Sequence, residues 1–241
     1  MTRTLLLSFA ALASLAPFAL AAPAQAATKS YSITDVSRLR IAGPFDVHVH
    51  VGPSSSVRAT GPQEAIDRLS VEQHEEVLVI KPLPGGWGGW PMGFHGKLVV
   101  DVTMPSLDQA AVTGSGDTTI DRIKGETATL VLSGSGSLTA TGIQVTQLAA
   151  TSTGSGTLAL AGRVVGAKAV LTGSGDLKGG ALLADDAVAN LVGSGNLEIG
   201  ARHTAKGSLA GSGDLSILGP ATCAISRSGS GDVHCGHMAA Q

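Results

Sequence analysis

Gly114-Ser115-Gly116-Asp117, Gly134-Ser135-Gly136-Ser137, Gly154-Ser155-Gly156-Thr157 and Gly173-Ser174-Gly175-Asp176 open a series that continues at Gly193, Gly211 and Gly229. The seven Gly-Ser-Gly triplets follow one another at steps of 20, 20, 19, 20, 18 and 18 residues. After each comes Asp, Ser, Thr or Asn, the short polar types that hydrogen-bond their own backbone in a turn. Two before each triplet stand Val112, Leu132, Ser152, Leu171, Leu191, Leu209 and Arg227. Four after its first glycine stand Thr118, Leu138, Leu158, Leu177, Leu197, Leu215 and Val233. Apolar side chains thus recur at every second position on both sides of the turn, the period of a strand with one buried face. A strand-turn-strand unit of about 19 residues, too short to contain a helix, predicts an all-β solenoid. One coil cannot bury its own inner face. Coils stacked ~4.8 Å apart bury a continuous aliphatic column.

The preceding segment follows the scheme more loosely. Arg40 to Val47 aligns with Ala111 to Thr118, which makes Gly43-Pro44-Phe45-Asp46 a degenerate corner. The 71 residues from Gly43 to Gly114 leave room for three to four coils. Residues 71–80 and 97–104 alternate as strands, residues 82–96 form a loop between them, and residues 62–69 read as a short helix on the outside.

These segments match a family. Ile41-Ala42-Gly43-Pro44-Phe45-Asp46-Val47, Val49-His50-Val51-Gly52 and Val99-Val100-Asp101-Val102-Thr103-Met104-Pro105-Ser106-Leu107, followed by the Gly-Ser-Gly-Asp series, resemble the head GIN domain family of exported bacterial proteins labelled autotransporter adhesins. The resemblance runs over roughly residues 39–233. It implies a right-handed parallel β-helix and a cell-envelope location, and it carries over no catalytic residue. The Trp-rich loop is an enlargement relative to the family.

The first residues set the compartment. Arg3 precedes an apolar run from Leu5 to Ala22, and Ala24-Gln25-Ala26 is a small-x-small cleavage site, the anatomy of a secretory signal peptide. No later stretch has the ~18 apolar residues of a membrane helix, so no stable membrane insertion is expected after cleavage. Loss of Arg3 takes the formal charge from −2 to −3, and no basic block stands out to suit nucleic acid. Aromatic residues are only 3% and glycine reaches 33 residues, which suits a thin aliphatic core repeated in layers. The expected organisation is a signal peptide at 1–26, a lead-in at 27–38, one solenoid at 39–235 (irregular coils to 108, regular coils from 109) and a tail at 236–241.

Candidate chemistry is sparse. Cys223 and Cys235, in an exported protein, point to a disulfide, with zinc as the weaker reading. Asp46, His48 and His50 alternate on one strand face, where two imidazoles and a carboxylate could hold a metal, but they read as a solvated face opposite buried Val47, Val49 and Val51, so no metal or other cofactor is expected. The Gly-Ser-Gly-Asp corners repeat at about twice the spacing of calcium-binding nonapeptides. Asp214 and Asp232 occupy equivalent corners, where a glycosidase would need carboxylates ~5–9 Å apart, yet both read as turn caps. No catalytic set follows. Thr113/Ser115, Ser133/Ser135, Thr153/Ser155 and Thr172/Ser174 make a two-column hydroxyl array, read as polar outer surface. The loop at 82–96 holds both tryptophans of the chain, and Trp87, Trp90 and Phe94 are the expected contacts for a sugar or a protein partner. The expectation is a periplasmic or secreted, non-enzymatic adhesion or interaction module that binds an envelope or cell-surface glycan or protein. A carbohydrate-active enzyme on a β-helix is the alternative.

Overall fold

The structure, a computed structural model, describes residues 26–83 and 97–236. The first strands are β1 (Ala27–Tyr31), β2 (Arg38–Gly43), β3 (Asp46–Val51) and β4 (Ser56–Gly61). Helix α1 (Gln63–Asp67) follows, then β5 (Leu69–His74), β6 (Val77–Pro82), β7 (Val99–Met104), β8 (Gln109–Gly114), β9 (Asp117–Ile120) and β10 (Ile123–Gly134). Each of β11 (Ser137–Gly154), β12 (Thr157–Gly173), β13 (Asp176–Gly193) and β14 (Asn196–Gly211) runs a whole coil from one triplet to the next. β15 (Asp214–Leu218), β16 (Thr222–Gly229) and β17 (Val233–Cys235) complete the solenoid.

From β8 onward the coils pair in parallel with each triplet over the last: Gly114, Gly134, Gly154, Gly173, Gly193, Gly211 and Gly229 are successive partners. Each coil has three walls. The first leads into the triplet, the second leaves it, and the third closes the turn. Within one coil Leu130 and Leu132 point inward from the first wall, Leu138 and Ala140 from the second, and Ile143 and Val145 from the third. The column Val112, Leu132, Ser152, Leu171, Leu191, Leu209, Arg227 is continuous in register. Its leucines are fully buried, and each such side chain contributes about 1.5–3 kcal/mol by leaving water.

The corners show why two glycines are needed. The first has φ between 116° and 136°, a region that excludes side chains bearing a Cβ. The other is a matter of space: a Cβ on Gly175 would collide with the carbonyl oxygen of Gly156 in the coil below. The corners nest because the first-glycine carbonyls from Gly114 to Gly193 each accept two N–H groups from the next coil, as Gly114 O does from Ser135 N at 3.0 Å and Gly136 N at 3.1 Å.

The front of the molecule departs from the expected run of coils. Gly43 pairs directly with Gly114, so the coil of β8 and β9 stacks on that of β2 and β3 with nothing between. The 71 intervening residues do not add coils there. β6 and β7 pair in parallel on the opposite side of β2 and β3, making the first layer. Outside them the pairing turns antiparallel, β5 on β6, β4 on β7 and β1 on β4. Such a cap covers the inner column and ends the parallel ladder. α1 is likewise part of this cap: Ala65 and Ile66 are buried in the core, so the helix is not an external appendage. Ile80 lies beside Ile41 and Val99 beside Asp46, so the chain leaves and re-enters the first layer where the next layer has its Gly-Pro-Phe corner.

At the other end Arg227 stands where leucines stand in earlier coils, and its guanidinium donates to Gly231 O at 3.1 Å. Cys223 stacks on Ala205 and Cys235 on Ile217, both inward columns. The two cysteines are joined, with Cα atoms 6.4 Å apart. Cys223 is half-buried and Cys235 exposed rather than enclosed, since this is the last described coil and none covers it.

Candidate binding surface

The polar residues after the triplets form a ladder along the corner edge. Asp46 Oδ1 accepts from Asp117 N at 3.2 Å, Asp117 Oδ1 from Ser137 Oγ at 2.7 Å, Asp176 Oδ1 from Asn196 Nδ2 at 3.0 Å and Asp214 Oδ1 from Asp232 N at 3.2 Å. The carboxylate of Asp214 is therefore occupied in joining coils, whereas that of Asp232 meets Arg227 of its own coil at 3.4 Å. Thr113, Ser133, Thr153 and Thr172 do stack in register beside this edge, followed by Val192 and Ala210.

β3 lies between β7 and β9, and each outward histidine meets a carboxylate from its surroundings. His48 Nδ1 is 3.2 Å from Asp101 Oδ1, and His50 Nδ1 is 3.1 Å from Asp121 Oδ2. Asp121 is itself held by Val51 N at 3.0 Å. Among the described residues no three His, Cys, Asp or Glu side chains gather as a metal-ligand set. On the β5–β6 hairpin, Glu72 accepts from Ser70 at 2.6 Å and from Lys81 at 3.0 Å, with His74 close by. These partners hold its carboxyl down to about 2 from the usual 4.5.

The third wall differs from the other two. Its outward positions carry Val165 and Leu183, and Val188 stands on the first wall just past the corner between the two; these are three of the five large aliphatics exposed among the described residues. Val165 and Leu183 are 48% and 43% exposed, whereas their neighbours Val164 and Leu182 point into the core. Two adjoining depressions of about 670 Å³ and 570 Å³ run across the coils here and share Val165. Gly125, Gly142 and Gly162, all with positive φ, edge the larger one. Cations flank the aliphatics: Arg163 pairs with Leu183, and Lys168, Val188 and Lys206 stack in that order. Arg202 Nε donates to Asp185 at 2.8 Å, and that contact lowers the Asp185 pKa. Thr204 donates to Asp186 at 2.6 Å.

The candidate contacts Trp87, Trp90 and Phe94 lie outside the described residues, as does the signal segment. The third wall was not among the candidates that sequence reasoning chose. Its signal was present in the doublets Val164-Val165 and Leu182-Leu183, where two apolar neighbours in a strand must face opposite ways. Among the described residues no helix is long and apolar enough to cross a membrane.

Comparison with known proteins agrees with this architecture. A Bacteroides fragilis protein described as a "putative adhesin" superposes with a TM-score of 0.80 at 18% identity, covering 88% of this chain and 97% of that one. A Parabacteroides distasonis protein described as a "putative lipid binding protein" gives 0.71 at 19% identity, with the same coverage of both chains. These likenesses establish the shared fold. A search of curated proteins finds no match. The family model described as "Putative auto-transporter adhesin, head GIN domain" matches residues 35–221, from just before β2 to just before β16. With that span and the nested glycine corners it contains, the chain belongs to the auto-transporter adhesin head GIN domain family.

Proposed function

We propose that the protein is an exported, non-enzymatic module of the cell envelope that holds a glycan or a protein partner against its solenoid surface. The observation that carries this reading is the groove where the third wall meets the first, in which half-exposed Val165, Leu183 and Val188 line two adjoining open depressions. Contiguous apolar surface kept in contact with water is costly unless a partner covers it. Trp87, Trp90 and Phe94 are proposed as a second set of contacts. A binding rather than a catalytic role is supported by the carboxylates. The two whose pKa is displaced, Glu72 and Asp185, are both lowered, whereas a general acid needs a raised one. The Parabacteroides relative described as a "putative lipid binding protein" makes an amphiphile the competing occupant.

The test applies purified mature protein to a glycan array and to washed envelope fragments, beside the variants Val165→Asp/Leu183→Asp and Trp87→Ala/Trp90→Ala. Native protein is expected to bind, and the wall variant to lose most of that binding with its melting midpoint unchanged. The tryptophan variant weakens binding to a lesser degree. Binding that survives both variants, or no binding by the native protein, would overturn the reading.

A further inference from the structure

The groove where the third wall meets the first carries a charge pattern that specifies its occupant more closely, on the reading that this groove is the binding surface. Along one outward column Lys168, Val188 and Lys206 follow one another coil by coil. Along the next, Arg163 is followed by Leu183, and Arg202 lies on the coil after that. The first column therefore reads cation, aliphatic, cation, whereas in the second Leu183 is followed by Gly200, with Arg202 two residues further along that coil. The two cationic rungs lie two coil steps apart, about 10 Å at the spacing of parallel strands. Arg202 is engaged by Asp185, and Asp186 is held by Thr204. Among the described residues no carboxylate forms an ion pair with Lys168 or Lys206, so their charge is available to a ligand, whereas Arg163 also acts at longer range on Asp185.

We propose that this groove binds an acidic linear glycan lying along the solenoid axis, its carboxylate or sulfate groups on the two cationic rungs and its sugar faces on Leu183 and Val188. Three observations favour that class. The groove crosses successive coils and is edged by glycines, so it accepts an extended chain lying flat. Polar groups punctuate it: Gln144 and Gln147 offer donors and acceptors, and the Arg202–Asp185 pair presents both beside each other, as sugar hydroxyls require. The main-chain groups of this groove are consumed by coil-to-coil ladders, so an extended peptide could not add as a strand there. The depressions are open and shallow-floored, which suits a sugar ring better than an acyl chain.

The experiment measures binding of the full mature protein to alginate and to heparin, with neutral dextran and phosphatidylglycerol vesicles as the other probes. The variants are Lys168→Gln/Lys206→Gln and, as a control on the second wall, Lys178→Gln. Expected is binding to at least one acidic polysaccharide that weakens with salt, and none to dextran. The double variant should lose about tenfold in affinity and flatten the salt dependence, because two fewer cations release counterions. Lys178→Gln should match the native protein. Equal binding to dextran, equal losses in the control, or vesicle binding without polysaccharide binding would each overturn the proposal. If Val165→Asp/Leu183→Asp abolishes envelope binding while no acidic polysaccharide is bound, the groove remains the binding surface and the acidic glycan alone is refuted.

Discussion

Thr118 is the place where a single atom can be shown to matter. It occupies the inward column between Val47 and Leu138, is 1% exposed, and its Oγ1 has no hydrogen-bond partner among the described residues. A buried hydroxyl left unpaired costs about 1–3 kcal/mol. Thr118→Val keeps the shape and replaces the hydroxyl by a methyl, which packs against the valine and leucine of the adjoining coils. The change should stabilise the protein by about 1–2 kcal/mol. For a domain of this size that corresponds to a rise in melting temperature of roughly 2–8 °C. Two companions separate causes. Thr118→Ser keeps the unpaired hydroxyl and deletes the methyl, so it should destabilise by about 1 kcal/mol. Thr119→Val, whose parent residue is exposed on the outer face, should change little. Thermal and urea unfolding by circular dichroism measures all three. A destabilised Thr118→Val, or a Thr119→Val as stabilising as Thr118→Val, would refute the assignment of an unpaired buried hydroxyl.

Two other outcomes are expected. Replacing Cys223 and Cys235 together by serine removes a cross-link closing a loop of twelve residues of separation, worth about 3 kcal/mol. Hydrogen exchange should then rise in residues 214–235 ahead of the earlier coils, and uniform exchange across the solenoid would count against a terminal staple. Glu72 should titrate near 2 by carbon-detected NMR rather than near 4.5. Because its folded pKa is depressed, the stabilisation it gives the β5–β6 hairpin is present above about pH 4.5 and disappears as pH falls towards 2. Lys81→Met should raise that pKa, and an unmoved titration would show that the contact is not formed.

The regular coils were readable because their register is printed in the chain. Gly-Ser-Gly at 18–20 residue steps marks every corner, and counting two back or four forward from it finds the buried leucines. The terminal cysteines were legible as a pair because they are the two cysteines of the chain and lie close together in it. The front half was not readable in this way. Residues 71–80 alternate as a strand should, but period two is common to parallel and antiparallel pairing, so the hairpin of β5 and β6 looked like a coil. Nothing local announced that Gly43 would meet Gly114. The third wall was obscured for a different reason. Differences in coil length are absorbed there, through shifts of register between Ala140 and Ile143, Ala159 and Ala161, and Gly179 and Leu183. Counting from the triplet loses its phase across those shifts, and whether Leu182 or Leu183 faces the core becomes ambiguous.

The direct contact of Gly43 with Gly114 also bears on how the chain assembles. Every later seam joins residues 18–20 apart, whereas this one must bring together residues 71 apart. Closing the longer loop costs about 1 kcal/mol more in chain entropy, since each doubling of length adds roughly 0.6. It also requires the chain to travel to the far side of β2 and return. Nucleation therefore belongs to the regular coils, where neighbours in space are neighbours in sequence, and the clasp at Gly43 closes late. Pulse-labelled hydrogen exchange during refolding should protect β11 to β13 before β2 and β3. In kinetic terms the repeats are the seed, and the cap at the front is a lock that turns only after the barrel behind it has formed.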